Sequence, residues 1–433
     1  MPKSTVTLTP RGAARLKSGH PWVYKSDIAS ATAEPGATVA VLDPRGKFQG
    51  TALYSSSSQI AIRMIAGSRE EVVDLPRLIS DRIKAAIAYR KQYVENTNAY
   101  RVVFSEADFL PGLIIDRYND VISLQILTQA MDSEPVRGAI IATLVEELKP
   151  EGILERVDPR IRELEQLPPR ETALLWGKKS STIITMNAAT EGSSESRKAQ
   201  AGRPAPKAQS QEPKAESPKP NAQSPTPSPG VLFHYDALEG QKTGAFLDQR
   251  ENYASAASYA HGNALDVFCY QGGFALHLAE KCQTVTGVDS SRPALEVADK
   301  NATLNNREIE WIEANAFDLL RDYAHAGKRY DTIILDPPAF GKTKRDLDKA
   351  LSGYKELNLR SLKMLNPGGI LVTCSCSFHV SQSDFQQIVA AASNDAHKTL
   401  RLLENRGAAK DHPNILNIPE TSYLKCLIFN VSA

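Results

Sequence analysis

The chain has 433 residues, with 51 Lys and Arg against 50 Asp and Glu and a formal charge of +1. That length allows several domains with ample core, and near-neutrality argues against a polyanion-binding field over the whole chain. Five cysteines form an odd set without framework spacing, and no run approaches the ~18 apolar residues of a membrane span, so a disulfide scaffold and a helical membrane protein are both excluded.

The opening "MPKSTVTLTPRGAARLKSG" lacks an apolar core of signal-peptide length, and free thiols suit a reducing compartment; a soluble, cytoplasmic protein is expected. Residues 1–70 carry nine Lys/Arg against four Asp/Glu. Short β-like runs (Ala37–Leu42, Gly50–Tyr54, Gln59–Ile65) alternate there with turn signals such as "DPRGK", predicting a small all-β module. Arg11, Arg15, Lys17, His20, Trp22, Tyr24 and Lys25 suit phosphate contact and base stacking, although Trp22 reads better as a barrel-core residue. Residues 71–185 mix helical stretches (Val73–Tyr93, Pro135–Leu148) with strands "GLIIDRY" and "VISLQIL", a compact α+β unit.

Residues 186–230 break the pattern. From 191 to 230 there are eight prolines and no Val, Ile, Leu, Met or aromatic residue, so the segment cannot bury enough apolar surface to order itself. β-like runs flank it, Thr182–Met186 and Val231–Tyr235, which predicts a hairpin with an expanded turn.

Residues 231–433 form the last unit. Strand-like runs "ALDVFC", "TVTGVD", "IEWIEA", "YDTIILD" and "GGILVTCS" alternate with helical segments such as Phe274–Lys281 and Pro293–Asn305. That alternation predicts a parallel sheet covered by helices on both faces, with ligands bound beyond the strands' carboxyl ends. Four polar motifs fall at those ends. In "DVFCYQGGF", Asp266 is followed by Phe268, Tyr270, Gly272, Gly273 and Phe274: a strand, a glycine turn and a helix start. It serves either as a close backbone approach for a ligand or as a tight turn only. Asp289, sixteen residues past Gly273, can accept from a ribose diol, or can cap the next helix in competition with Ser290 and Ser291. Asp336 stands before a rigid Pro337-Pro338 pair that aims it and Phe340 into the cleft. Finally, Cys374 and Cys376 share a face by period-two alternation. Cys374 reads as a small buried hydrophobe; Cys376, at the strand end, is open to a packing, metal-clip or nucleophile role.

Together, "DVFCYQGGFALHLA", "VTGVDSSRPALEVADKNATLN", "YDTIILDPPAF", "GYKELNLRSLKMLNPGGILVTCSCS" and "DHPNILNIPETSYLK" resemble the bacterial large-subunit rRNA cytosine-C5 methyltransferases of the RlmI family. "SGHPWVYKSDI" resembles the opening of that family's PUA domain, and "GQKTGAFLDQR" the approach to its S-adenosylmethionine (SAM) site. The resemblance covers nearly all of the chain outside 191–230. It implies an α/β fold: a class I (Rossmann-like) methyltransferase domain with an N-terminal PUA β-barrel and a small α+β middle domain. SAM would be the cofactor, with no metal, and 23S rRNA the partner, alone or within a large-subunit particle. Asp266 through Phe274 would surround the methionine part of SAM, Asp289 the ribose, and Asn315 the adenine, while Gln249 and Arg250 would close over the donor. Asn315 replaces the family's more usual Asp, but its carbonyl oxygen can still accept from the adenine amino group.

A related guanine-N7 family carries an asparagine pair where this chain has Ser375 and Cys376. Ring nitrogens have lone pairs and need no covalent help, whereas pyrimidine C5 becomes nucleophilic only when a thiolate adds at C6. The resemblance therefore implies Cys376 as nucleophile and Asp336 on the pyrimidine N3/N4 edge, acting on a single-stranded or flipped-out base. Two other readings stay open on the residues alone: N-methylation on the same fold, and a catalytically silent RNA-binding assembly factor. For Asp411-His412-Pro413 the residues suggest no role.

Overall fold

The computed structural model describes residues 4–68, 72, 74–187, 230–238, 245–341 and 344–432. The segment expected to be disordered lies outside these apart from its two ends.

The first sheet has six strands: β1 (Thr5–Leu8), β2 (Trp22–Tyr24), β3 (Ile28–Thr32), β4 (Thr38–Leu42), β5 (Phe48–Tyr54) and β6 (Ile60–Gly67), ordered β2-β6-β5-β4-β1-β3. Val6, Leu8, Val23, Val39, Val41, Ala52 and Ile62 fill its core. The unit is not all-β. Thr9 accepts from the Gly12 amide, Pro10 takes the first helical position, and helix α1 (Pro10–Lys17) follows. Trp22 is not a core residue either: it is half-buried, and its indole N–H donates to Glu106 of the next unit at 3.0 Å. An indole donor needs an acceptor when it leaves water, and Glu106 supplies it.

The second sheet, β11-β10-β9-β8-β7, comprises β7 (Ala99–Phe104), β8 (Leu113–Tyr118), β9 (Val121–Ile126), β10 (Gly152–Glu155) and β11 (Ala173–Gly177). Helices α2 (Leu75–Tyr93) and α3 (Glu134–Leu148) bury Ile79, Ile83, Ile87, Ile140 and Leu144 against it, and a short α4 (Pro159–Leu164) follows β10. The hairpin forms as expected. β12 (Ser181–Met186) pairs antiparallel with β13 (Val231–Asp236), Thr182 opposite Tyr235 and Met186 opposite Val231. Tyr235 stacks on Tyr118 with centroids 3.6 Å apart, which joins the hairpin to the second sheet.

The last sheet has seven strands: β14 (Asn263–Val267), β15 (Thr284–Asp289), β16 (Glu310–Glu313), β17 (Tyr330–Leu335), β18 (Leu365–Ser375), β19 (Thr399–Arg406) and β20 (Lys425–Ser432). Their order is β16-β15-β14-β17-β18-β20-β19. The expected parallel pairing holds from β16 to β18, but β20 runs antiparallel to both neighbours. No α-helix intervenes between β19 and β20, so the chain returns through the segment 407–424 and inserts β20 in the reverse direction. One face is covered by α5 (Arg250–Tyr259), α6 (Gly273–Leu278), α7 (Arg292–Leu304) and the hairpin; the other by α8 (Ala316–His325), α9 (Leu347–Met364) and α10 (Gln382–Asp395). Both faces are buried, which explains the near-continuous apolar runs of β17 and β18.

Candidate active site

Beyond β14 the chain crosses a tight loop in which Phe268 (φ 67°), Tyr270 (φ 49°) and Gly272 (φ 87°) all take the left-handed conformation. For the two aromatic residues that costs about 1–3 kcal/mol each. Hydrogen bonds hold the loop: the Phe268 and Cys269 amides donate to Val288 O (2.8 and 3.0 Å), the Tyr270 amide to Asp289 Oδ2 (2.9 Å), the Gly272 amide to Cys269 O (2.8 Å), and Asn301 Nδ2 to Gln271 O (3.1 Å). A Cβ at Gly273 would lie 2.5 Å from the Tyr253 ring, so only glycine passes there. Phe274 is buried edge-on to the same ring.

Asp289 is spent on this loop, not on a helix end. Ser291 caps α7 by accepting from the Ala294 amide, and Asp289 Oδ1 accepts from the Ser291 amide at 2.9 Å. Each carboxylate oxygen keeps a further acceptor position, enough for a diol. A cavity of about 1020 Å³ between the hairpin and α7 adjoins this side through Tyr270, Gln271 and Ser291; Cys376 is not among its lining residues.

Asp266 is fully buried. Its Oδ2 accepts from the Ala275 amide at 2.9 Å, while Oδ1 has no hydrogen-bond partner among the described residues. Burial pushes its pKa up to about 8; the Ala275 N–H opposes this, and the charges of Asp336 and Asp289 add to it. Gln249 lies beside Cys374 with Nε2 unpartnered among the described residues, and buried Arg250 has Nε unpartnered with a terminal nitrogen 3.4 Å from Asp411. A buried carboxylate oxygen lacking a donor, together with buried N–H groups lacking acceptors, fits an amino acid's ammonium and carboxylate. The methionine end of SAM has both. Asn315 departs from expectation: its carbonyl oxygen accepts from the Phe317 and Asp318 amides as the N-cap of α8, so that oxygen is engaged away from an adenine amino group.

Asp336 follows β17, and its amide donates to Val267 O at 3.3 Å. Phe340 packs between Phe317 and Tyr354, with centroids at 5.8 and 4.8 Å, and so braces the double-proline turn from behind. Across the turn, Cys374 is wholly buried in β18 opposite Cys426. Cys376 lies one residue past the strand end, half-buried, with Sγ 3.9 Å from the carbonyl oxygen of Pro337. The thiol and the Asp336 loop therefore meet.

The residues around that thiol were not evident from the sequence. Ser375 Oγ donates to Tyr354 Oη at 3.0 Å, and Ser377 Oγ lies 3.0 Å from the same oxygen; both serines are fully buried. Lys425, opposite Ser375 in the β18–β20 register, donates to Ser377 O at 2.8 Å and Val380 O at 2.7 Å. The available signal was a pair of serines at the end of a largely apolar strand, Ser375 its last residue and Ser377 two beyond, each needing a partner once buried.

In the basic N-terminal set, Arg11 and Arg15 face buried Asp27, Arg15 lies 4.7 Å from the Tyr24 ring, and His20 sits 3.3 Å from Glu420; Arg11, Lys17 and Lys25 remain exposed. Among the described residues, no group of three or more His, Cys, Asp or Glu could hold a metal ion, and no helix is long and apolar enough to cross a membrane.

Residues 6–66 match the model of a PUA-like domain, and residues 218–430 that of an S-adenosylmethionine-dependent methyltransferase. Ribosomal RNA large subunit methyltransferase I of Pseudoalteromonas translucida is 34% identical over 425 residues, 96% of each chain. The protein of the same name from Tolumonas auensis is 34% identical over 436 residues, 98% of each. This chain belongs to the ribosomal RNA large subunit methyltransferase I family. As a member of it, the chain is a SAM-dependent enzyme with a PUA-like domain ahead of a class I methyltransferase fold. The same fold is seen in a Streptococcus mutans protein described as a SAM-dependent methyltransferase (TM-score 0.75, 18% identity, 98% of this chain and 100% of that one). A methyltransferase solved with SAH has the same TM-score and identity and covers 98% of this chain.

Proposed function

We propose that this enzyme methylates C5 of a cytosine in large-subunit (23S) ribosomal RNA, with Cys376 as nucleophile and Asp336 on the base. The contact between Cys376 Sγ and the Pro337 carbonyl carries the reading, because it sets a half-exposed thiol beside the one carboxylate that the double-proline turn presents. A structural cysteine would be sealed like Cys374.

SAM supplies an electrophilic methyl group. Asp266 and Asp289 would hold its ammonium and ribose, with Gln249, Arg250 and the Phe268–Phe274 loop closing around the remainder. Cys376 thiolate bonds to C6 of the cytosine, the C5=C6 electron pair shifts through C4 to N3, and Asp336, protonated when the base is bound, gives its proton to N3; the resulting enamine makes C5 nucleophilic. Once C5 carries the methyl it gives up its proton to a base, the S–C6 bond breaks, and the thiolate returns. C6 is inaccessible in a stacked duplex, so the substrate base is single-stranded or flipped out, on free rRNA or in a large-subunit precursor. Exposed Arg11, Lys17 and Lys25 in the PUA-like domain (residues 1–70) would contact RNA phosphate, with 71–185 as a spacer between that domain and the catalytic domain 231–433.

RNA bearing 5-fluorocytosine tests this, because fluorine at C5 blocks the proton loss that frees the enzyme. The wild type is expected to form a denaturant-stable adduct at Cys376, and Cys376→Ser to bind SAM without adduct or turnover. Full turnover by Cys376→Ser would overturn the reading and favour N-methylation.

A further inference from the structure

Tyr354 fixes the side chains of the two serines flanking Cys376, and Lys425 fixes the main chain that follows it. The lysine is the unusual member of this set. It is only 5% exposed, at the first position of β20, and among the described residues it forms no salt bridge. It donates to two carbonyl oxygens, one of which belongs to Ser377, the residue after Cys376. A buried ammonium held by neutral acceptors alone is unfavourable unless an anion forms beside it.

The groups facing Cys376 and Lys425 narrow down what that anion is. From β17 comes Asp336, whose negative charge opposes a thiolate. From α9 comes Tyr354, whose phenol burial holds in the neutral form. From α10 comes Asp384, already engaged with Ser381 in the cap of its own helix. His379 lies on the loop itself. Burial lowers the lysine's pKa to about 8, with Cys376 and Asp384 working in the opposite direction.

We propose that Lys425 is a positioning residue of the methyl transfer, its ammonium holding the Cys376 loop against the double-proline turn and stabilising the thiolate. The inference rests on Cys376 being the nucleophile. The lysine touches no substrate atom and acts only through the cysteine: it supplies the positive charge that Asp336 would otherwise deny to a thiolate in a half-buried position.

The test is the pH dependence of Cys376 alkylation by iodoacetamide, with peptide mapping to separate it from the other four cysteines. It uses the full-length wild type, Lys425→Met and Lys425→Arg, with SAM binding as the folding readout. The methionine variant is expected to bind SAM as the wild type does and to shift the alkylation midpoint up by about one pH unit, a tenfold loss of thiolate at a fixed lower pH. The arginine variant, which keeps the charge, is expected to stay at the wild-type midpoint. An unchanged midpoint in Lys425→Met would overturn the proposal, and so would an arginine variant that behaves like the methionine one. Should the methionine variant lose SAM binding, the arginine variant decides alone: a wild-type midpoint supports the charge role and a raised one refutes it. The 5-fluorocytosine adduct of the wild type is scored separately. Its absence rejects the nucleophile itself, whereas its presence with an unshifted midpoint rejects only Lys425.

Discussion

The backbone amide of Arg101 donates to Asp411 Oδ2 at 2.9 Å, across 310 residues of chain. The same aspartate lies 3.4 Å from Arg250 and 3.2 Å from His412, and its carbonyl accepts from buried Arg90 of α2 at 2.7 Å. Asp411 thus ties the second sheet to the donor wall of the cleft, a role that the motif Asp411-His412-Pro413 did not disclose. Burial works against its ionisation, yet His412, Arg250 and the Arg101 amide hold its pKa below the ordinary carboxylate value. Asp411→Ala removes the buried one of Arg250's two carboxylate neighbours, leaving Glu251 at 3.7 Å, and also the acceptor of the Arg101 amide, so a loss of about 3 kcal/mol is expected. Denaturant unfolding measures it, and a loss within experimental error of zero would contradict this account.

Asp266 trades stability for binding. Its folded pKa of about 8 lies above the ordinary 3.8, so the ligand-free protein binds the extra proton and loses stability as pH rises from about 4 to 8. Asp266→Asn keeps the acceptor for Ala275 and removes the buried charge. At pH 8 the ligand-free variant is expected to melt higher than wild type while binding SAM at least about tenfold more weakly. Calorimetry and SAM titration read the two effects, and they should have opposite signs.

His277 should impose an acid limit on stability. Its Nδ1 donates to Gly273 O at 2.7 Å, and Nε2 accepts from Asn187 at 2.9 Å, an arrangement of the neutral ring. Burial lowers its pKa to about 4 despite the Gly273 contact. The unfolded chain therefore takes up a proton first, and the stability due to this group is lost as pH falls from about 6.5 to 4, on the order of 3 kcal/mol in all. Asp266 titrates in an overlapping range with the opposite sign. The measurement is accordingly the difference between wild type and His277→Gln, which should grow with pH across that window and be flat above it.

Tyr354→Phe removes the oxygen shared by Ser375 and Ser377. Two buried hydroxyls lose a partner, at a cost of about 1–3 kcal/mol, and the Cys376 loop loses its side-chain anchor. Methyl transfer is expected to fall about tenfold or more with SAM affinity retained, because Asp266 and Asp289 lie on other strands. Steady-state kinetics with SAM titration distinguishes this from general unfolding, which would weaken both.

Much of this architecture is local and could be read from residues in order. Alternating apolar runs and helices between 263 and 375 announce a doubly covered sheet, and strand ends such as Asp266, Asp289 and Asp336 mark its ligand edge because each pattern is written in adjacent residues. Pairings between distant segments were not legible. Nothing near Cys376 says that β20 would run backwards and set Lys425 opposite Ser375, or that a tyrosine of α9 would lie beneath both serines. Trp22 was misread, and the cap role of Asn315 was not foreseen, for a related reason: an indole and an amide take whichever partner packing brings, here Glu106 and the first turn of α8. Composition and periodicity alone announced the layers and a candidate ligand edge; only tertiary packing decided which buried groups hold the loop around the thiol, because long-range hydrogen bonds between buried polar groups leave no period in the sequence.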